Sequence, residues 1–353
     1  MKRFIFFYLG ILSIRAMELP SPSQCKMSEK ALKYSYLFGV SSKKDDAEYK
    51  SESVQTAVCD SSVGSNSVFF AIYDGHNGKS IAQDAEKKLV DNLKEELCSR
   101  IKPNVPTADN TWVGVRMALW FAYVRTESQL EDIAPESGAC TISAYLHENW
   151  CHLSWLGNLR ALILRNGLPI DASEDHTISI KEQMLKSVSK SSRSLLKETE
   201  GCNDTKEIVS YTRSFGDQMV KRNQKNKEQK DDCLNAVPGY KMKKLCDNDL
   251  ILLASASLWN AFADTNIKNE KKRLNKCHEI IAYKISDLLK KTSSKRSVAF
   301  QLTQSIVVEQ TKVRKAKLQM VADSLREEVE AINKAKLSKC SPTVLIIEYT
   351  ERE

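Results

Sequence analysis

A chain of 353 residues with 42% hydrophobic and 28% charged residues has ordinary globular composition, and no Pro/Gly/Ser-rich linker divides it. The formal charge of +8 raises nucleic acid or an acidic membrane face as partners. The lysines are scattered, however, and no zinc-finger spacing or basic-aromatic stripe accompanies them, so nucleic-acid binding is set aside.

The chain opens with Lys2-Arg3 and an apolar run from Phe4 to Ile14, followed by Ala16 as a small residue suited to cleavage. This has the pattern of a signal peptide and is too short to span a bilayer comfortably. Met17 and Met27 offer later starts. Residues 1–30 are therefore read as a leader or disordered N-terminus, and residues 31–353 as one large domain. A cytoplasmic location is expected, with the secretory pathway through residues 1–16 as the alternative and membrane association only if the leader is real.

Val68-Phe69-Phe70-Ala71-Ile72-Tyr73 is a continuous apolar run, as expected of a buried central strand, and it ends in Asp74-Gly75-His76. An aspartate leaving such a strand, then a glycine with an unshielded carbonyl and a histidine, can gather a carboxylate, a backbone oxygen and a proton carrier. Hard divalent cations such as Mg²⁺ or Mn²⁺ take oxygen ligands of that kind. The competing reading is an ordinary turn, since Asp-Gly is favoured there. Ile81, Ala85, Leu89, Leu93 and Leu97 then recur every fourth residue and predict an amphipathic helix, with a second helix over roughly 111–131.

Trp150 to Gly157 and Arg160 to Arg165 read as paired strands joined around Gly157-Asn158, with Asn166-Gly167 as the next hairpin turn. Residues 181–235 are long, polar and rich in Ser, Lys and Glu. Residues 250–255 form another buried strand. Val313 to Lys336 is a charged helix with Leu318, Val321, Leu325, Val329 and Ile332 on one face, lying on a sheet or docking a partner. Thr343 to Tyr349 makes a final strand. The ten cysteines contain no C-x-x-C pair and read as reduced, mostly buried thiols. Cys277-His278 lacks further ligands at metal-site spacing.

Eight blocks fall in the order and rough spacing of one family. They are Gly39 to Ala47, Phe69 to Gly78, Ser137 to Thr141, Trp155 to Ala161, Asp175 to Thr177, Thr212 to Asp217, Leu253 to Asn260 and Cys340 to Val344. On these residues the chain resembles the metal-dependent type 2C protein serine/threonine phosphatases. The resemblance implies an α/β (α+β) four-layer sandwich, two antiparallel β-sheets flanked by helices, which the hairpins and intervening helices also fit. It makes 181–235 a flap-like segment and 265–338 a helical expansion.

The resemblance also implies a binuclear metal centre. Asp74 would bridge two ions, the Gly75 carbonyl would bind one, Asp45 and Asp46 would match the acidic pair, and His76 the proton donor to the leaving group. Other positions depart from the pattern. Asn158, Ala256 and Cys340 stand where the family has aspartates, and Ser41 stands where its phosphate-gripping arginine falls. Alanine removes ligand and charge, asparagine keeps an oxygen, and sulfur suits Mg²⁺ or Mn²⁺ poorly. His76 is then vestigial, no cofactor is required, and at most one weakly bound Mg²⁺ or Mn²⁺ is expected. The reading is a catalytically impaired phosphatase that binds a protein or phosphoprotein partner. The alternative is a weak metal-dependent phosphatase hydrolysing phosphomonoesters.

Overall fold

The computed structural model describes residues 34–41, 53–59, 67–100, 108–176, 212–219, 221, 234–294, 305–335 and 344–351. The leader, Asp45, Asp46, Cys340 and most of the flap-like segment lie outside the described residues. The chain divides into two compact units, one of residues 52–161 and 173–243 and the other of residues 1–51, 162–172 and 244–353.

The first unit is built on the strands β2 (Ser53–Cys59), β3 (Ser67–His76), β4 (Gly138–His147), β5 (Trp150–Leu156), β8 (Phe215–Gly216) and β9 (Gly239–Lys244). Their order is β2-β3-β4-β5-β9, with the short β8 added to β4. β3 lies antiparallel between β2 and β4, and its residues from Val68 to Tyr73 are buried. Burial on both faces is why its sequence is a continuous apolar run rather than an alternating one. The strand extends further than its apolar residues indicate. Asp74, Gly75 and His76 are still in register, paired with Cys140, Ala139 and Gly138, so they form the end of the strand and not a turn after it.

Two helices, α1 (Ser80–Arg100) and α2 (Ala108–Ser128), build this unit's core with the sheet. α1 buries the predicted stripe of Ile81, Ala85, Leu89, Leu93 and Leu97. α2 begins and ends about three residues earlier than its sequence pattern predicts. Asn92 of α1 donates to Thr126 Oγ1 at 2.9 Å and to Gln129 Oε1 at 3.0 Å, so the polar group buried between the helices is satisfied. Tyr123 anchors α2 to the sheet, its hydroxyl 2.9 Å from Ser143 Oγ and donating to Ser154 O at 3.0 Å. Burial holds that hydroxyl well above the usual tyrosine range.

The second unit carries the sheet β1-β11-β10-β6-β7. Its strands are β1 (Tyr34–Ser41), β6 (Arg160–Arg165), β7 (Leu168–Ala172), β10 (Leu250–Ala254) and β11 (Val344–Glu351). Three helices accompany it, α3 (Ala256–Phe262), α4 (Glu270–Ser294) and α5 (Ser305–Ala335). Within its described residues the expansion carries the helices α4 and α5, and α5 is the one with the stripe read from the sequence. Leu318, Val321, Leu325 and Val329 are buried in the unit's own core and Ile332 packs against it. At its described residues that face packs into the unit's own core. Both sheets are antiparallel in their hairpins and are accompanied by helices, the α+β architecture expected from the sequence.

Among the described cysteines, Cys140, Cys151 and Cys277 are buried, whereas Cys98 and Cys246 are exposed thiols. The expectation of buried thiols holds for the first three only.

Candidate active site

The end of β3 carries the site. Asp74 stands opposite Ser53 of β2 and Cys140 of β4. Beyond His76 the chain turns through Asn77 at φ 55° and Gly78 at φ 121° before α1 begins. Asparagine is among the few residues with a side chain that tolerate this left-handed region. The loop keeps its turn with Asn77 present.

His76 is not merely packed at the strand end. Its Nε2 lies 2.8 Å from Asp217 Oδ1, and Asp217 is 2% exposed against 18% for His76. A carboxylate only accepts, so Nε2 carries the proton and donates. The second carboxylate oxygen, Oδ2, accepts from Ser214 Oγ at 2.5 Å. The Asp217 amide in turn donates to Ser137 O at 2.8 Å. Ser137 Oγ donates to His76 O at 3.2 Å, closing a ring of contacts around the imidazole. Gly138 faces this pair so closely that a Cβ there would clash with His76 Nε2 and Asp217 Oδ2. The glycine is required by approach, not by backbone conformation.

The segment bearing Asp217 is fixed from behind by Glu127 of α2. That carboxylate accepts from Gly216 N at 3.0 Å, from Gln218 Nε2 at 2.8 Å and from Lys221 Nζ at 2.5 Å. Lys221 also donates to Ser214 O at 2.9 Å. Each of these polar groups is partnered, which is the condition for burying them at low cost. An imidazole held by a buried, hydrogen-bonded carboxylate has a set tautomer and ring angle.

The expected metal ligands are brought together only in part. Asn158 follows Gly157 in the β5–β6 turn, and Gly157, at φ 83°, approaches the Cys140 side chain that stands opposite Asp74. Asp74, Gly75, His76 and Asn158 therefore share one end of this unit's sheet. Ala256 is the first residue of α3 and Ser41 the last of β1, both in the other unit. Among the described residues no group of three or more His, Cys, Asp or Glu side chains gathers. At this end the family-matched ligand positions supply the Asp74 carboxylate, the Gly75 carbonyl and the Asn158 amide, while the nearby Asp217 carboxylate is engaged by His76 and Ser214. A pair of divalent ions calls for several carboxylates, and the matched acidic pair Asp45–Asp46 lies outside the described residues.

Arg160 and Arg213, which lie near the site in sequence, make contacts within the fold. Arg160 forms a two-pronged ion pair with Asp175, with Nη2 at 2.6 Å from Oδ2. Arg213 donates from Nη1 to Val237 O at 2.8 Å. His176 stacks on Trp155 at 5.7 Å between ring centroids. Burial, and then the nearby Arg213 charge, lower its pKa to about 3, so it is neutral near pH 7.

Sequence reasoning matched the Ser137-Gly138 and Ser214-Phe215-Gly216-Asp217 segments to the family without giving them a task. The available signal was the Gly-Asp dipeptide, which favours a tight turn that can project a carboxylate. Glu127 carried no signal, because on α2 it reads as one more surface charge.

This chain belongs to the protein phosphatase 2C family, whose model matches residues 39–298. The family comprises metal-dependent serine/threonine phosphatases. Among curated relatives, Protein phosphatase 2C 56 of Arabidopsis thaliana is 25% identical over 201 residues, 56% of this chain and 42% of its own length. Protein phosphatase 2C 77 of the same plant is 22% identical over 207 residues, 56% of this chain and 45% of its own. The chain thus spans less than half the length of these relatives. The fold matches the crystal structure of serine-threonine phosphatase 2C from Toxoplasma gondii at a TM-score of 0.57 and 13% identity, covering 90% of this chain and 94% of that one. A C. elegans sex determining protein matches at a TM-score of 0.54 and 15% identity, covering 91% and 66%.

Proposed function

We propose that this chain is a phosphatase 2C domain impaired in hydrolysis, which works by binding a protein or phosphoprotein partner. The observation that carries the reading is the donor chemistry at the matched positions. Of the matched positions, Asp74 keeps its carboxylate, Asn158 contributes a neutral oxygen, and Ala256 opens α3 with a methyl group where the family has an aspartate. Loss of anionic ligands leaves the charge of a second divalent ion uncompensated. Ser41 and Cys340 extend the same pattern in sequence. The residues that remain, Asp74 and the Gly75 carbonyl, with Asp45 and Asp46 as the matched acidic pair, would hold at most one weak Mg²⁺ or Mn²⁺. When bound, such an ion would supply Lewis-acid polarisation of a phosphate oxygen.

A second reading, a weak phosphatase, is favoured by the His76–Asp217 pair. A histidine whose ring is held by a buried carboxylate at 2.8 Å keeps the positioning that protonation of a leaving group requires.

Two measurements separate the readings. Calorimetric titration with Mg²⁺ and Mn²⁺ is expected to give no more than one weak site; two tight sites would defeat the impaired reading. Hydrolysis of an aryl phosphate that depends on Mn²⁺ and disappears in Asp74→Ala would establish the weak phosphatase instead. Joint substitution of Asn158, Ala256 and Cys340 by Asp and of Ser41 by Arg is expected to raise turnover.

A further inference from the structure

Arg213 is half-buried and meets no carboxylate among the described residues. Arg100, Arg160, Arg165 and Arg326, by contrast, each pair with an acidic side chain. Arg213 has one bond, from Nη1 to Val237 O at 2.8 Å, which leaves most of its five N–H donors for another acceptor. Burial lowers its pKa, and no neighbouring anion acts in the other direction. A cation drawn partly out of water calls for an anion, because its lost hydration is otherwise uncompensated.

Three short segments build its surroundings. Thr212 N donates to His176 O at 2.8 Å, Asn235 N donates to Thr212 O at 3.2 Å, and Arg213 forms a backbone bridge with Asn235. His176 N donates to Gly157 O at 2.8 Å, and a Cβ on Gly157 would lie 3.3 Å from Arg213 O. These bonds tie the arginine's backbone to the turn that carries Asn158, at the end of the sheet where Asp74 stands. His176 lies nearly parallel to Trp155, with 14° between the ring planes, and its Nδ1 is buried without a partner. That neutral imidazole also feels the Arg213 charge. The two acids on the His176 segment are engaged elsewhere, Asp175 by Arg160 and Glu174 by Lys241 at 3.4 Å. A phosphate monoester carries about two charges and three acceptor oxygens, so it can meet a guanidinium fork and a separate N–H together. We propose that Arg213 and His176 form a binding site for a phosphomonoester dianion, with the guanidinium holding two oxygens and Nδ1 donating to the third. This rests on the phosphoprotein-binding reading above and supplies a contact that needs no metal ion.

Calorimetric titration of the full chain in EDTA tests this, since the chelator removes any phosphate held through a metal at Asp74. The probes are inorganic phosphate, a phosphoserine peptide and its unphosphorylated counterpart, at matched ionic strength. Phosphate and the phosphopeptide are expected to bind, and the unphosphorylated peptide is not. Arg213→Met should weaken both by at least about tenfold, the scale of a lost hydrogen bond to a charged group. Arg213→Lys keeps the charge but lacks the fork; it should bind with intermediate affinity, and it stands in if the methionine variant fails to fold. His176→Phe keeps a ring on Trp155 and should weaken binding by a smaller factor. Tighter binding of the phosphopeptide than of phosphate assigns the site to a phosphoprotein, and the reverse order assigns it to free phosphate. No binding by the parent chain, or binding that neither Arg213 variant weakens, would overturn the proposal. In the second case the phosphoprotein reading survives, and only Mn²⁺-dependent turnover in the absence of EDTA would defeat it.

Discussion

At Asp217 the backbone enters the left-handed region, φ 52°, directly after Gly216 at φ 70°. This tight turn aims the carboxylate back at His76, and aspartate is one of the few residues that accept the conformation. The local arrangement has almost no slack, because Gly138 occupies the space any Cβ would need. Gly138→Ala is expected to destabilise by about 1–3 kcal/mol, the cost of forcing extra volume into a filled site, measured by urea unfolding. Asp217→Asn keeps the shape but removes the anionic acceptor from His76 and Ser214. It should cost about 1–3 kcal/mol, the usual loss for a buried hydrogen bond to a charged group. If both variants unfold like the parent, the ring around His76 contributes nothing to stability.

Among the elements, an ion pair adds to the link between β6 and the turn before β10. Arg165 donates to both oxygens of Asp249, at 2.9 Å and 2.7 Å, while Asp249 is fully buried and also accepts from Cys246 N at 2.8 Å. Arg165 is 32% exposed, so its own desolvation is partial. Removing it would strand a buried carboxylate, and Arg165→Met is expected to cost about 2–4 kcal/mol by chemical denaturation. On α5, Leu325 is fully buried among core residues. Leu325→Ala should cost about 2–5 kcal/mol, the range for a truncated core leucine, and a loss under about 0.5 kcal/mol would mean that the helix does not lie on its sheet as described.

For the whole molecule, pH acts through histidines buried in the neutral state. His152 is fully buried, bonded through Nδ1 to the Tyr240 hydroxyl at 2.8 Å, and burial followed by the neighbouring His147 lowers its pKa to about 3. The unfolded chain takes up this proton near pH 6.5, whereas the folded chain does not until about pH 3. Stability is therefore full above pH 6.5 and falls as the pH drops through the window between them, by at most about 1.4 kcal/mol per pH unit from this residue. His176 adds loss in the same direction and window. Denaturation midpoints at pH 7 and pH 5 measure the slope, and His152→Phe should flatten it. An unchanged slope would remove His152 from the account.

The sequence by itself determined the family pattern, the apolar β3 run, the stripes of α1 and α5, and the departures at Ser41, Asn158, Ala256 and Cys340. These were legible because each is a local signal: a periodicity set by strand or helix geometry, or a residue type at a fixed offset. It did not determine that Asp74, Gly75 and His76 remain paired within the strand, because apolarity ends at Tyr73 while the β3–β4 hydrogen bonds continue. Only the tertiary structure decided that Asp217, 141 positions from His76, holds its ring, and that Glu127 braces the turn from α2. A side chain's partner across such a separation depends on how strands and helices are brought together, and no spacing along the chain encodes that. The same holds for α2: its sequence shows apolar residues on every side, and only burial separates the face that builds the core from the stripe that does not.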